Sequence, residues 1–172
     1  MQPEKVTKPK RAKTPDEALA ALMRLCARAE KTQSDARRLL RGWGIGEAEA
    51  ARIVERLVRE RFIDDTRYAE AFVREKLRLS GWGTYKIRTA LLRKQIAPET
   101  IDAALAQSNP AEMAERLLAQ LRRKARTVRY ATPYELKTKL IRYGLSLGYE
   151  FEAVAEAAAS LVTDCDTCDE SF

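Results

Sequence analysis

Three short segments of this chain repeat one pattern. Ala36-Arg37 leads to Leu40 and, five residues on, to Ile45; Ile87-Arg88 leads to Leu91 and Ile96; Leu136-Lys137 leads to Leu140 and Leu145. The step from 36 to 87 is 51 residues and from 87 to 136 is 49. Apolar residues at i, i+4 and i+9 mark one face of a short helix and the turn that ends it. A self-similar period near fifty residues marks a chain built from repeated helical units. Each unit alone buries too little apolar surface, so neighbours must share a core. The pattern therefore predicts an all-α protein, an elongated curved array of three tandem three-helix repeats with about nine helices.

Cap signals set the boundaries. Thr14-Pro15-Asp16-Glu17 reads as a cap followed by proline at the first helical position. Leu19, Leu22, Met23 and Cys26 then fall at core spacing, and Ser34 is expected to cap a second helix that stops near Gly42 and Gly44. A third is expected from about Glu47 to Arg61, with Ile53, Val54, Leu57 and Val58 on one side. The second unit opens at Asp64-Asp65, where an aspartate can cap the first turn. Its stripe is Tyr68, Ala69, Phe72, Val73 and Leu77; it breaks at Gly81-Trp82-Gly83, resumes from Tyr85 to Lys94 and starts a third helix at Pro98. The third unit opens at Asn109-Pro110 with the stripe Met113, Ala114, Leu117, Leu118 and Leu121. It opens again at Thr132-Pro133, closes between Gly144 and Gly148, and completes its core with Phe151, Val154, Ala158, Leu161 and Val162. The expected division is a disordered basic arm over 1–14, repeats over 15–62, 63–108 and 109–162, and an acidic tail over 163–172.

Residue usage argues against catalysis. The chain has no histidine, which removes the commonest general base and metal ligand. Gly42-Trp43-Gly44-Ile45-Gly46 lacks the preceding strand of a phosphate loop and reads as a turn between helices. Adjacent aspartates at a helix start, as at Asp64-Asp65, read as a cap and dipole partner before an acid–base pair. Cys165-Asp-Thr-Cys168 has metal-ligand spacing but is half of a four-ligand site. It reads as reduced thiols in a loose acidic tail, with a site shared between two chains as the alternative. No cofactor or metal is expected, and the chain is expected not to be an enzyme. No apolar run approaches the roughly 18 residues of a membrane span, and Met1 to Thr14 lack a secretory stretch. Three cysteines are too few for a disulfide framework. These features predict a cytoplasmic protein with no membrane partner.

Charge points to a polyanionic partner. The net charge is +7, and it is unevenly spread. Between Arg116 and Arg142 lie Arg122, Arg123, Lys124, Arg126, Arg129, Lys137 and Lys139, with Glu135 as the sole acid. Lys86, Arg88, Arg93 and Lys94 form an acid-free stretch in the second unit. Clustered cations on adjoining helices are the electrostatic footprint for phosphates or an acidic protein surface. The plainer reading is a solvated basic face. Tyr130, Tyr134 and Tyr143 are of the type that stacks on bases and equally of the type that fills a core rim. Trp43 and Trp82, each following a glycine, read as packing between units.

The run Phe62-Ile63-Asp64-Asp65-Thr66-Arg67-Tyr68-Ala69, continued by Phe72-Val73 and then by Gly83, Ile87, Leu91 and Ile96, resembles the RecX family of recombination regulators. The family pattern is an apolar pair, Asp-Asp, a basic residue, an aromatic with Ala, and Phe-Val. A Gly, a basic residue beside Ile, a Leu and a basic-Gly-Ile turn follow. Every element is present save the last glycine, where Gln95 stands. The resemblance runs from about Thr14 to Val162, with the third unit more divergent. It implies a non-enzymatic modulator that lies in the groove of the RecA–single-stranded DNA filament and bridges its protomers. ATP turnover, strand exchange and repressor cleavage would thereby be inhibited, in homologous recombination and the SOS response.

The partners expected are therefore the RecA filament and single-stranded DNA, engaged by a monomer. The binding face is expected at Arg88, Arg93, Lys94, Arg122, Arg123, Lys124, Arg126, Arg129, Lys137 and Lys139, gathered on one side of two antiparallel helices and the unit before them. The family motif is expected at Phe62, Asp64, Asp65, Arg67, Tyr68, Ala69, Phe72, Gly83, Ile87 and Leu91. A basic helical protein that binds DNA or RNA directly, without RecA, is the alternative, followed by a helical adaptor with protein partners only.

Overall fold

The computed structural model describes residues 13–166, with the side chains of the last three left aside. The expected basic arm up to residue 12 and the expected acidic tail from residue 167 lie outside the described residues, Cys168 among them. Within them are nine α-helices and no strand: α1 (Pro15–Arg28), α2 (Gln33–Gly42), α3 (Glu47–Arg59), α4 (Asp65–Glu75), α5 (Thr84–Arg93), α6 (Pro98–Ala106), α7 (Pro110–Thr127), α8 (Pro133–Leu147) and α9 (Phe151–Asp166). α9 runs past the expected boundary at 162, so the first residues assigned to the tail are helical.

Side-chain caps open most of these helices. Thr14 and Glu17 form a reciprocal capping box. Asp64 Oδ1 accepts from the backbone N–H groups of Thr66 and Arg67, each at 3.0 Å. Asn109 and Thr132 cap α7 and α8, each followed by proline at the first helical position. The cap of α2 is not Ser34 but the buried Thr32, whose Oγ1 accepts from Asp35 N–H at 3.1 Å. Ser34 lies two residues inside, where its hydroxyl cannot reach an orphan N–H of the first turn. α3 ends at Arg59, short of the expected Arg61, because Arg61 adopts a left-handed φ of 59°. α4 continues as a wider π-helical turn over Lys76–Ser80 and ends where Gly81 takes φ 60°.

The chain divides into two compact units, Met1–Tyr68 and Ala69–Phe172, the division falling inside α4. In the first, α3 packs on α1 and α2 around Leu22, Leu40, Ile53, Val54, Leu57 and Ile63. In the second, α5 packs on α6, and Ile87, Leu91, Ile96 and Ile101 are buried. There α7, α8 and α9 also pack on one another around Leu117, Leu121, Leu136, Leu140, Tyr149, Val154 and Ala158.

The third copy of the repeat departs from its expected register. The backbone N–H of Ile45 closes α2 onto Leu40 C=O, and that of Ile96 closes α5 onto Leu91 C=O, at 3.1 and 3.2 Å. In the third copy this bond runs from Tyr149 to Gly144, at 3.3 Å. Tyr149 is therefore the counterpart of Ile45 and Ile96. Leu145, the expected anchor, is 42% exposed where Tyr149 is 7% exposed. The cause is length: α2 and α5 have 10 residues each and α8 has 15. The starts of α5 and α8 stay 49 residues apart (Gly83 to Thr132), but their closing anchors stand 53 apart (Ile96 to Tyr149). Four extra residues are about one helical turn. The buried stripe of α8 is accordingly Leu136, Leu140 and Gly144, and Ile141 takes the place beside an anchor held by Arg37 and Arg88 in the other copies. Val58, Ala114 and Phe151, expected in the core, are exposed as well.

Candidate functional site

The motif residues from Phe62 to Leu91 make structural contacts within each unit. Phe62 packs on the core of the first unit, and Ile63 is buried in it. Asp64 caps α4, while Asp65 accepts from both the backbone and side-chain N–H groups of Gln33 at 3.1 Å, tying the start of α4 to the start of α2. The Arg67 guanidinium makes a two-pronged pair with Glu30, at 2.7 and 3.0 Å, and also donates to Arg61 C=O. The hydrogen bond to Glu30 raises the Arg67 pKa further, which fixes its charge. Tyr68 is half-buried, and Ala69, Ile87 and Leu91 are fully buried. Phe72 meets Trp82 edge-on at 6.3 Å, with the Lys76 ammonium over both rings. Cys26 is half-buried, and burial pushes its thiol pKa up against the pull of Lys31, so the thiolate form is disfavoured.

Gly83 belongs to a joint in the second unit. The C-terminus of α8 abuts the N-terminus of α5: Gly83 N–H donates to Leu147 C=O at 2.8 Å, and Tyr85 N–H to Gly148 C=O at 3.1 Å. Orphan donors of one helix thus meet orphan acceptors of another, with opposite dipole ends facing. The Lys86 ammonium completes the joint, donating to Ser146 C=O at 3.0 Å and lying 4.8 Å above the Trp82 ring. From α7, Arg116 donates to Leu77 C=O and Gln120 to Gly81 C=O, at 2.8 and 3.0 Å, which satisfies the end of α4. Beside the joint is a groove of about 280 Å³, lined by Trp82, Tyr85, Lys86, Thr89, Arg93 and Leu145, with no carboxylate among its lining residues.

The predicted cations separate into three groups. Arg88, Lys124 and Lys139 have structural partners. Arg88 pairs with Asp102 on α6. The Lys124 ammonium lies 5.4 Å from the Tyr143 ring centroid, bridging α7 to α8. Lys139 reaches Arg129 C=O and Glu135, both at 2.6 Å. This bond to Lys139, followed by one from Ala131 N–H, lowers the Glu135 pKa. Lys94 also has a partner. Arg122, Arg123, Arg126 and Arg129 form the second group, exposed and without an ion pair among the described residues. The third is Arg93 on α5 and Lys137 on α8, equally without one.

Their partners turn these cations onto different sides of their helices. Residues two apart on a helix differ by about 200°. Lys124 points from α7 toward α8, so Arg122 and Arg126 point away from α8. Lys139 points from α8 toward the connection that follows α7, where Arg129 C=O lies, so Lys137 points away from that connection. The hairpin thus carries an arginine face on α7 and a separate basic edge on α8. Sequence reasoning passed over Tyr85 and Thr89, which line a groove with Leu145 of α8, and counted Arg142 in the basic span without placing it on the binding face. No group of three or more His, Cys, Asp or Glu side chains among the described residues is arranged to hold a metal, and no described helix is long and apolar enough to cross a membrane.

Comparison with known proteins falls on these elements. A family profile described as RecX, second three-helix domain, matches residues 64–105. A regulatory protein RecX from Thermus thermophilus is 37% identical over 120 residues, covering 66% of this chain and 80% of that protein. Another from Clostridium botulinum (strain Eklund 17B) is 26% identical over 144 residues, covering 83% of this chain and 67% of that protein. The chain spans between 41% and 67% of the length of the first three relatives it matches. The crystal structure of RecX from Lactobacillus salivarius superposes with a TM-score of 0.77 at 20% identity, covering 86% of this chain and 96% of that one, a likeness of fold.

Proposed function

The chain belongs to the RecX family of regulatory proteins, and on that premise we propose that it binds the RecA–single-stranded DNA filament and lowers its ATP hydrolysis, strand exchange and coprotease activity. The observation that carries this reading is the alignment with the Thermus relative over 80% of that protein's length. The basic helical surface supports it. Arg122, Arg123 and Arg126 are exposed, unpaired and free to meet phosphates or acidic side chains on a filament. Binding one filament state more tightly than another would shift the filament toward that state, and no catalytic group is needed for this. The protein would act as a monomer in the cytoplasm.

The test is RecA's DNA-dependent ATP hydrolysis, measured with the protein added from substoichiometric to equal ratios. Hydrolysis should fall, and the protein should co-sediment with filaments. The triple variant Arg122→Glu, Arg123→Glu, Arg126→Glu should inhibit less while folding normally, because exposed unpaired charges contribute little to stability. Unchanged hydrolysis together with no co-sedimentation would refute the proposal and favour direct nucleic-acid binding.

A further inference from the structure

One sequence feature is explained neither by the core nor by the RecA reading. α5 carries Tyr85, Thr89 and Arg93, and α8 carries Tyr134, Thr138 and Arg142, the same residue types at i, i+4 and i+8. Both tyrosines are exposed, at 65% and 79%, and both arginines are exposed without an ion pair among the described residues. In both stripes the threonine Oγ1 donates to the tyrosine C=O at 2.9 Å, so the two copies agree in local geometry as well as in sequence. The corresponding positions of α2 are Ser34, Arg38 and Gly42, so only the second unit has the pattern. Exposed tyrosine rings add nothing to a core, and folding alone does not account for their duplication.

The joint connects the two stripes. Because the C-terminus of α8 abuts the N-terminus of α5, the stripes follow one another end to end with the same chain direction. Leu145, on the same side of α8 as Tyr134 and Thr138, lines the groove with Tyr85, Thr89 and Arg93 and so bridges them. The extra turn of α8 lengthens this track: Tyr134 to Leu147 rises about 20 Å. Lys137 flanks it without an ion-pair partner, and the groove has no lining carboxylate.

We propose that Tyr134, Thr138 and Arg142 of α8 and Tyr85, Thr89 and Arg93 of α5 form one continuous binding track for single-stranded nucleic acid, with bases stacking on the two tyrosines and phosphates meeting the two arginines. A ligand that repeats an aromatic and an anionic group in one direction matches a surface that repeats an aromatic and a cation in one direction. Stacking on an exposed ring tolerates any base, so the track is indifferent to sequence. The proposal rests on the part of the foregoing reading in which the basic surface meets nucleic acid, and needs no RecA.

The experiment measures binding of the full chain to a fluorescent oligothymidylate of about 16 nucleotides by anisotropy over a range of salt, without RecA. Tyr85→Ala and Tyr134→Ala should each weaken binding roughly 5- to 150-fold, matching about 1–3 kcal/mol per stacked base, while Tyr→Phe at either site keeps it. Arg93→Gln and Arg142→Gln should each reduce the salt slope by about 0.7, which the tyrosine variants leave unchanged. Helical content by circular dichroism should match the parent throughout. Three results would each overturn the track: no binding by the parent, parent-like binding by the double tyrosine-to-alanine variant, or loss of binding confined to the α7 arginine variant. If the double variant keeps the oligonucleotide but loses RecA filaments, the occupant is a protein and the proposal fails. RecA hydrolysis measured in parallel keeps the two readings apart, since absent inhibition with intact oligonucleotide binding refutes only the RecA reading.

Discussion

Replacing Gly83 with alanine should open the joint between α8 and α5. A Cβ at Gly83 would stand 2.2 Å from Gly148 O, 2.3 Å from Gly148 C and 2.5 Å from Tyr149 N, where ordinary contact begins near 3.4 Å. All three atoms are backbone, so no side chain can swing aside, and the two helix ends must separate by about 1 Å. Gly83 N–H to Leu147 C=O, now 2.8 Å, would then stretch beyond hydrogen-bond range, and Tyr85 N–H to Gly148 C=O, now 3.1 Å, with it. Two bonds at about 1 kcal/mol each, with about 1–3 kcal/mol for forced overpacking and somewhat under 1 kcal/mol returned by alanine's smaller unfolded-state entropy, give a loss of about 3 kcal/mol. For a chain of this size the midpoint should fall by roughly 6–12 °C. Thermal unfolding by far-ultraviolet circular dichroism reads the loss, and Trp82 fluorescence reports on the joint. The control is Gly42→Ala, where nothing lies within 4 Å of the added Cβ and the melt should move up slightly, by the equivalent of about 0.5–1 kcal/mol. A Gly83→Ala protein that melts like the parent would show that the close approach does not hold the joint.

Three other outcomes follow from the geometry. Tyr149→Ala should cost about 3–5 kcal/mol in urea unfolding and Leu145→Ala under about 1 kcal/mol, and the reverse order would restore the evenly spaced register; burial raises the Tyr149 pKa, so its hydroxyl stays protonated at neutral pH. Gln95→Gly should stabilise by about 0.5–1 kcal/mol, because Gln95 sits at φ 58° where Gly44 and Gly148 close the other two turns at 79° and 88°; a destabilised variant would mean that the glutamine side chain contributes there. Glu135 has a folded pKa below its unfolded value, so its contribution is present above the ordinary carboxylate range and lost as pH falls through the depressed value. The gap in melting temperature between the parent and Glu135→Gln should therefore be widest near neutral pH and close in acid, and a gap independent of pH would refute the pairing.

Much of the fold could be read from the chain because its signals are local. Pro15, Pro98, Pro110 and Pro133 each stand at the first position of a helix, and Thr14, Asp64, Asn109 and Thr132 cap as their side chains permit. The register of the third repeat could not be read that way. Leu136, Leu140 and Leu145 match the spacing of Ile87, Leu91 and Ile96, and an added helical turn preserves apolar periodicity while shifting everything after it. The closing bond from Tyr149 to Gly144, with the burial of Tyr149 in place of Leu145, reveals the shift. Gly144 itself looked like a helix stop; inside α8 its missing side chain admits Val154, whose nearest methyl would lie 2.5 Å from a Cβ there.

The basic surface was legible as composition and illegible as geometry. A count of cations from Arg116 to Arg142 treats Lys137 and Lys139 as neighbours, yet the helix turns them about 200° apart. One is engaged by the connection between α7 and α8 and the other is free. Charge runs overstate a binding face for this reason: cations nearest a packing seam are recruited to it, as Lys124, Lys139 and Arg88 are, and only those rotated out of the seam remain for a partner. The residues that identify the family behave in the same way. Asp64, Asp65, Arg67 and Gly83 satisfy caps, pair with Gln33 and Glu30 or admit a close backbone contact, so each has a role in the architecture itself. On the proposed function, motif and partner contact would thus be carried by different side chains. A substitution within the motif should first lower stability and only through it lower binding, whereas Arg122, Arg126, Tyr85 and Tyr134 can change affinity while the melting curve stays in place.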